Sequence, residues 1–207
     1  MRVFASIIAF LTVLLLCIAA KDIKKSDSET IRQKPPNIIK FFQRNQRIWR
    51  YQQTQSNVIT YKEVKPHIKF LQQCIFLEKI NMSDTKVYFY EKMDVNGDPV
   101  SIQLFGEFDK KAKGVSGSML VTDQSANDTK PFLRMTLAHA KGGCSIFILT
   151  SPEKFPTEGR PQKCEMYVRS RKRANTPPED CRSFYKEHCK EKAYTTYNSA
   201  CGAAKYM

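Results

Sequence analysis

The sequence predicts a mostly β protein, an antiparallel barrel or sandwich that is followed by one helix and held together by disulfide bonds. From Asn57 to Ser170, short segments rich in β-branched and aromatic residues are separated by turn residues roughly every ten positions, which is typical of such folds. After them, Thr176-Pro177-Pro178-Glu179 is a strong helix start, with a hydroxyl cap followed by proline and glutamate. The cysteines are the third observation, because six of the seven lie downstream of an apolar leader.

The β region divides into eight expected strands. Asn96-Gly97-Asp98 is a good hairpin turn between the third and the fourth of them. The eight strands are expected over Val58 to Val64, Phe70 to Ile80, Lys86 to Met93, Pro99 to Phe108, Ser116 to Thr122, Pro131 to Ala140, Cys144 to Thr150 and Lys163 to Ser170.

Helices are expected on both sides of this region. Asn37 is a candidate cap for an N-terminal helix, in which the apolar residues up to Ile48 and Trp49 form an incomplete stripe. The C-terminal helix has a complete stripe with helical spacing, so its two cysteines point at whatever surface the helix lies against. That stripe consists of Cys181, Phe184, Tyr185, His188 and Cys189.

The chain begins with a predicted signal peptide, residues 1–20. A basic residue precedes an unbroken apolar stretch from Ile7 to Ile18, and Ala19-Ala20 supplies the small residues of a cleavage site. Because the apolar stretch is too short to span a bilayer comfortably, we expect a secreted, extracellular protein without a membrane anchor. Residues 21–36 are expected to form a flexible tail, and residues 37–207 a single domain.

With Cys17 in the leader, the other six cysteines predict three disulfide bonds in an oxidising compartment. Six cysteines allow fifteen pairings, and their spacing alone does not choose among them. We expect the pairing that ties the C-terminal segment to an early strand and the helix to the last two strands. Its three bonds are Cys74 with Cys201, Cys144 with Cys181, and Cys164 with Cys189.

Two sequons and a strongly basic composition characterise the expected surface. Asn81 and Asn127 each begin an Asn-X-Ser/Thr sequon in a stretch with turn character, and both are predicted glycosylation sites. The formal net charge of +14 should draw the protein to anionic surfaces. The basic run from Arg169 to Arg173 is either a patch for heparin-like polymers or a solvated loop before the helix.

Strand alternation predicts which residues near the cysteines face the interior. If the helix is crosslinked against the outside of the sheet, Cys164 faces outward, and Glu165 and Tyr167 face inward. The same rule directs Ser145, Phe147 and Leu149 inward from the strand that begins at Cys144. An eight-stranded barrel is just wide enough to hold one small ligand, and an inward carboxylate is costly there unless it is paired, hydrogen-bonded or matched to a cationic guest.

In its order of motifs, the chain from about Trp49 to Cys201 resembles the tick salivary lipocalins that include the histamine-binding proteins. The resemblance implies an eight-stranded lipocalin barrel with an N-terminal helix and a C-terminal helix packed outside it. The matching elements are a helix with a tryptophan, Thr60-Tyr61-Lys62 ahead of Cys74, the strand end Gln103-Leu104-Phe105-Gly106-Glu107, Cys144 opening the seventh strand, the signature Cys164-Glu165-Met166-Tyr167, and a helix with Cys181 and Phe184.

The resemblance also implies a set of ligand-binding residues. In that family carboxylates meet the ammonium and imidazole groups of histamine, and aromatic rings close the pocket. The positions that carry over are Tyr61 and Glu107 for one pocket and Glu165 and Tyr167 for a second, with Trp49 helping to exclude water. A further family carboxylate has no direct counterpart, and Glu63, on the same strand face as Tyr61, is the candidate nearest to it. Met135 and Ser145 stand where the second pocket would have acidic residues, so the match implies one amine site rather than two.

The expected function is therefore the sequestration of a small host mediator, most simply a biogenic amine such as histamine or serotonin. An alternative is an anionic lipid mediator, such as a leukotriene or fatty acid, gripped by Arg134, His139 or Arg169. A third reading is a module that binds a host protein or a glycosaminoglycan through its basic exterior.

The sequence has no nucleophile elbow, phosphate loop or helix-borne histidine pair, so an enzyme is not expected. Its three histidines lack the spacing of metal ligands. We expect no cofactor, no metal, no nucleic-acid partner and a monomer.

Overall fold

The strands and helices of the protein follow one another in a simple meander. The computed structural model describes residues 36–60, 68–109, 117–125, 130–156, 162–169 and 176–202. Their elements are α1 (Ile38–Arg44), β1 (Arg47–Gln53), β2 (Val58–Thr60), β3 (Lys69–Met82), β4 (Lys86–Val95), β5 (Asp98–Phe108), β6 (Ser118–Asp123), β7 (Leu133–Lys141), β8 (Cys144–Thr150), β9 (Lys163–Val168), α2 (Glu179–His188), β10 (Tyr194–Thr195) and a 3₁₀ turn at Ser199–Gly202.

Eight of the strands close into an antiparallel barrel. Strands β3 to β9 pair in chain order, and β1 lies between the two ends of this row, bonded to β9 on one side and to β3 on the other. At Trp49 both pairings meet, since this residue stands opposite Val168 and Phe76. β2 adds to β3 and β10 adds to β1 outside the ring. The predicted eight-stranded antiparallel barrel is thus confirmed.

One of the eight strands is not the predicted one. The first expected strand, Val58 to Val64, contributes only β2 among the described residues, and residues 61–64 lie outside them. The place in the ring belongs to β1, which the sequence assigned to the N-terminal helix. That helix ends at Arg44, because Asn45 is extended and its side-chain Nδ2 donates to the carbonyl oxygen of Phe41 at 2.7 Å.

Local sequence features explain the start of α1, the strand β1 and the turn between β4 and β5. Asn37 caps α1 as expected, since its Oδ1 accepts from the backbone nitrogen of Lys40 at 3.0 Å. β1 contains the β-branched residue Ile48 and the aromatic residues Trp49 and Tyr51, which favour a strand, although its polar and apolar residues do not alternate. At the β4–β5 hairpin, Asn96 and Gly97 have positive φ values of 55° and 99°, and this turn is confirmed.

The interior of the barrel is filled from one end by aromatic side chains. Phe41 and Phe42 of α1 pack on Phe147 and Phe89, with ring centroids 5.0 and 5.6 Å apart. These rings belong to a single buried cluster that also contains Tyr167. Helix α1 therefore closes the end of the barrel at which β1 begins.

A second apolar cluster lies on the opposite faces of β8 and β9. It joins Ile146 and Met166 to Tyr185 of α2, whereas Phe147 and Tyr167 belong to the interior cluster. The alternation predicted for these two strands is confirmed. Helix α2 begins at Glu179 with Pro178 as its cap residue and no side-chain cap, so the expected hydroxyl cap from Thr176 is not formed.

Three disulfide bonds crosslink these layers, and their pairing is the expected one. Cys144–Cys181 and Cys164–Cys189 join β8 and β9 to α2 and its C-terminal end. Cys74–Cys201 joins β3 to the 3₁₀ turn across 127 residues of chain. Three disulfides are consistent with an extracellular protein. Neither helix among the described residues is long and apolar enough to cross a membrane.

Candidate functional site

The barrel contains a cavity of about 290 Å³ above the aromatic layer that α1 closes. This volume is at the lower end of the range of small-molecule sites, about 300 to 1,000 Å³. The cavity extends to the barrel end opposite α1, where Ile59 and Phe132 are 40% and 54% exposed. Its apolar wall consists of Leu77, Phe89, Leu104, Val121, Leu133, Met135 and Leu149, and its polar lining of Arg50, Gln53, Gln55, Ser56, Gln72, Glu91, Glu165 and Tyr167.

Arg50 stands at the centre of a buried polar cluster in this cavity. Its Nη2 lies 2.9 Å from Oε1 of Glu165 and also forms an ion pair with Glu91. Its Nε and Nη2 donate to the hydroxyl of Tyr167 at 3.1 and 2.9 Å, and its Nη1 donates to Gln53 at 3.0 Å. The Tyr167 hydroxyl in turn donates to Oε2 of Glu165 at 2.8 Å.

The strands fix this cluster through their register. Glu165 and Tyr167 are two residues apart on β9 and therefore share a face. On β1 they stand opposite Gln53 and Arg50, and a register shift between Arg50 and Gln52 lets both residues face the cavity although they are three positions apart. Glu91 reaches the cluster from β4, on the same face as Phe89.

The cluster contains more negative than positive charge. Two carboxylates, Glu91 and Glu165, surround one guanidinium, so the formal sum of −2 and +1 is −1. Burial raises the pKa of Glu165, Arg50 only partly opposes this effect, and Glu91 adds to it. Burial is the largest cause of the raised pKa of Glu165, and the attraction of one arginine that is shared with Glu91 does not cancel it.

Arg50 and Tyr167 are held in their usual protonation states. Burial alone would lower the pKa of Arg50, but Glu165, Glu91 and Tyr167 together raise it above its ordinary value. Burial also raises the pKa of Tyr167 well above its ordinary value. At neutral pH Arg50 is therefore a cation and Tyr167 a neutral hydroxyl.

Glu91 has an unused acceptor in this arrangement. Its Oε1 pairs with Arg50, whereas its Oε2 accepts no hydrogen bond from any residue that the structure describes. The side chain lines the cavity and remains 18% exposed. A hydrogen-bond donor that enters the cavity thus finds a carboxylate oxygen ready to accept.

Of the expected ligand residues, the structure brings Glu165 and Tyr167 together in the cavity. Both are buried, at 6% and 0% exposure. Tyr61 and Glu63 lie outside the described residues, as does the sequon at Asn127. The other sequon residue, Asn81, is exposed at the end of β3.

Glu107 is not in the cavity, contrary to expectation. It is exposed on β5, whose buried residues Leu104, Gly106 and Phe108 alternate with it. Gly106 occupies the inward position because Met119 and Val87 press against it, and a Cβ there would lie 2.7 Å from the Met119 sulfur. The residue after this glycine must therefore face outward.

Trp49 also lies away from the cavity. It lies on β1 rather than on a helix and does not line the cavity. It packs in a separate buried cluster with Phe76 and the Cys74–Cys201 disulfide. The reason is alternation, since its neighbours Ile48 and Arg50 are the inward residues of the strand.

The three cationic candidates for an anionic ligand lie away from the cavity. Arg134 pairs with Asp109 and donates to the carbonyl oxygen of Pro152 at 2.7 Å. His139 packs on the ring of Phe184 of α2, with centroids 4.9 Å apart. Arg169 donates from Nε to Asn45 at 2.6 Å. The cation lining the described cavity is Arg50, which already has two acidic partners.

Sequence reasoning missed Glu91, Arg50 and Gln53. The signal for Glu91 was present, because strict alternation along the predicted third strand puts it on the same face as Val87 and Phe89. Arg50 and Gln53 were missed because their strand was taken for a helix. Met135 and Ser145, which stand where the resemblance would put the acids of a second pocket, are both buried.

No model of a known protein family matches the chain, and no curated protein matches it. Within the described ranges, no group of three histidine, cysteine, aspartate or glutamate side chains is arranged to hold a metal ion.

Proposed function

We propose that this protein is a secreted lipocalin that binds and sequesters a small amine in its barrel, without catalysing a reaction. The observation that carries the proposal is the buried cluster in which two carboxylates, Glu91 and Glu165, share the single guanidinium of Arg50. The signal peptide expected from the sequence and the three disulfides support secretion.

The charge of the cluster favours a cationic guest. A buried excess of negative charge is costly unless it is protonated or meets a positive partner. An ammonium group placed next to Oε2 of Glu91 supplies that partner, and the apolar wall strengthens the attraction by excluding water. The hydroxyl of Tyr167 holds Glu165 in position for the same contact.

The remainder of the cavity suits the apolar part of such an amine. Leucine, valine and methionine side chains and the ring of Phe89 surround the space beside the cluster. A ring or short chain attached to the ammonium group gains by burial there, by about 25 cal/mol for each Å² of apolar surface. Histamine and serotonin combine these two parts, and the resemblance to the tick histamine-binding lipocalins favours them.

The same geometry argues against an anionic lipid mediator. A carboxylate in this cavity would approach Glu91 and Glu165, and the guanidinium that attracts carboxylates is already shared between them. The volume of about 290 Å³ is also small for a long acyl chain. In the setting that the resemblance implies, removing a free amine suppresses the inflammatory response of a host.

Calorimetric titration of the purified protein with histamine, serotonin and leukotriene B4 tests the proposal. We expect an amine to bind and the leukotriene not to bind. In Glu91→Gln and in Glu165→Gln one carboxylate remains for Arg50, so the surplus charge is gone and the amine should bind at least about tenfold more weakly, a loss of about 1.4 kcal/mol.

Glu107→Gln is the matched control, because it makes the same chemical change on the opposite face of the barrel wall. This variant should bind the amine like the wild type. Equal losses in all three variants would point to general electrostatics and contradict the proposal. Binding of leukotriene alone, or retention on heparin at physiological salt with no amine bound, would replace it by one of the alternatives.

A further inference from the structure

We infer that the cavity accepts a guest with a single positive charge, so that it binds monoamines and discriminates against diamines and against amino acids. The inference rests on the proposed function and deepens it, because it specifies the charge class of the ligand. It comes from the count of charged groups along the cavity wall.

That count leaves one unit of negative charge without a partner. The ionisable residues lining the described cavity are Glu91, Glu165, Arg50 and Tyr167, and the hydroxyl of Tyr167 is neutral. The other polar lining residues are amides and one serine, which carry no charge. One ammonium group brings the described wall to neutrality, and a second finds no further carboxylate among the described lining residues.

Arg50 cannot leave the cluster, so the net charge of the described cavity wall stays the same when a guest binds. Every nitrogen of its guanidinium has a described partner, from Gln53 at Nη1 and Tyr167 at Nε to both acids at Nη2. The residue is itself buried within the wall. A guest cannot displace the guanidinium without leaving these partners unsatisfied, which is costly in a buried site.

The same saturation excludes the carboxylate of an amino acid. An amino acid differs from its decarboxylated amine by one negative group, which would lie beside Glu91 and Glu165 with no free donor cation in the described wall. Like charges brought together beside a buried cluster are unfavourable. A second ammonium group on a compact diamine would meet apolar side chains such as Leu77 or neutral amides such as Gln72, which compensate for its lost hydration less than a carboxylate does.

The test uses one scaffold with matched changes, measured by calorimetry at neutral pH. Phenethylamine is the reference monoamine. An ortho-aminomethyl group adds the second ammonium, and an ortho-ethyl group is its uncharged control of equal size. Phenylalanine adds the carboxylate, and phenylalaninol, which keeps one positive charge, is its control.

We expect the reference and both controls to bind with similar affinity, and the diamine and phenylalanine to bind at least about tenfold more weakly. If none of the compounds binds, and histamine and serotonin do not bind either, the proposed function fails. If the monoamines bind and the diamine binds as well as its ethyl control, the proposed function stands and the single-charge inference is overturned.

The variant Arg50→Gln should reverse the preference of the cavity for a monoamine over a diamine. Without the internal cation two carboxylates need partners, so a folded variant should bind the diamine at least about tenfold better than the wild type does. A variant with a native circular dichroism spectrum that still rejects the diamine overturns the inference.

If Arg50→Gln does not fold, Glu91→Gln decides. It leaves one carboxylate for one guanidinium, so the advantage of phenethylamine over the neutral phenethyl alcohol should fall at least about tenfold. An unchanged advantage in this variant, with Glu107→Gln as control, contradicts the inference.

Discussion

At the scale of single residues, the interior of the barrel is organised around Arg50. Four of its neighbours, Gln53, Glu91, Glu165 and Tyr167, are hydrogen-bonded or ion-paired to its guanidinium. An ion pair of this kind contributes little net stability, because the desolvation of its charges offsets their attraction. The ion pair instead holds the charged groups of the cavity wall in fixed positions.

The raised pKa of Glu165 has a measurable consequence for stability. A buried acid whose folded pKa lies above its unfolded value stabilises the fold only while it is protonated, below the unfolded pKa, and this contribution is lost as the pH rises through the folded pKa. The groups that face Glu165 are Arg50 on β1, Glu91 on β4 and Tyr167 on β9.

We therefore expect the unfolding free energy of Glu165→Gln to increase relative to the wild type as the pH rises above about 4.5, the ordinary pKa of a glutamic acid. Each pH unit between the two pKa values corresponds to about 1.4 kcal/mol. Urea denaturation at a series of pH values measures the difference. A difference that is constant over this range would show that the carboxyl group is not perturbed by its burial.

The hydroxyl of Tyr167 should matter more than the hydroxyl of another buried tyrosine. Tyr167→Phe removes a group that accepts from Arg50 and donates to Glu165, and should lower the unfolding free energy by about 1 to 3 kcal/mol. Tyr185→Phe is the matched control, since the Tyr185 hydroxyl is buried without a hydrogen-bond partner among the described residues. It should be neutral or slightly stabilising. Equal effects in the two variants, measured by urea denaturation, would contradict this assignment.

At the scale of secondary-structure elements, β1 is the strand that completes the barrel. It joins β9 to β3 and contributes Ile48, Arg50 and Gln53 to the interior. The opposite face of β1 carries Trp49 and Tyr51, which pack with Tyr197 beyond β10. A single short strand thus separates the cavity from the C-terminal segment.

The chain's one tryptophan reports on this separation. Trp49 is 3% exposed and packs beside Cys74–Cys201, and a neighbouring disulfide quenches indole emission. We expect saturation with an amine to change the emission little, and the double variant Cys74→Ala/Cys201→Ala to increase it. Strong quenching by the amine would place the ring at the cavity, as the sequence-based expectation did.

Most of the strands were predictable from the sequence, because the turns of β3 to β9 are marked by glycine, proline, asparagine or aspartate. β1 was not, since an apolar stripe of helical spacing continues past the end of α1 at Arg44. The distinction depends on Asn45, whose side chain bonds back to the last turn of the helix. Such a local hydrogen bond competes with the helix and is not visible in periodicity.

The site was predictable where covalent chemistry fixed the geometry. Cys164 is crosslinked to Cys189 beyond α2, so alternation sends Glu165 and Tyr167 to the other face. No crosslink constrains β5, and there the inward position went to Gly106 rather than Glu107. The surplus negative charge could not be predicted from any one segment, because Arg50, Glu91 and Glu165 lie on three different strands, β1, β4 and β9.

At the scale of the whole molecule, the exterior and the cavity carry charges of opposite sign. The chain has a formal net charge of +14, whereas the cluster inside the barrel sums to −1. A basic protein repels a cation at long range, although its cavity attracts the same cation at contact. Salt screens the first interaction more than the second, because buried pairs are screened less.

The association rate constant of a cationic amine should therefore rise with salt concentration. Between about 10 and 150 mM salt the Debye length falls from about 30 to 8 Å, which weakens the repulsion by the surface. Stopped-flow mixing with a fluorescent amine measures the rate. A neutral analogue of the same amine is the control and should show little change. A rate constant for the amine that falls as salt is added would mean that the surface near the entrance attracts cations.

Helix α1 closes one end of the barrel. Glu91 and Glu165 lie between this closed end and the rim at which Ile59 and Phe132 are exposed. A guest must then enter nitrogen first and leave by the way it came, with its far end directed at the solvent. A resin that presents the amine through a linker on this far end should retain the protein, whereas a resin coupled through the nitrogen should let it pass.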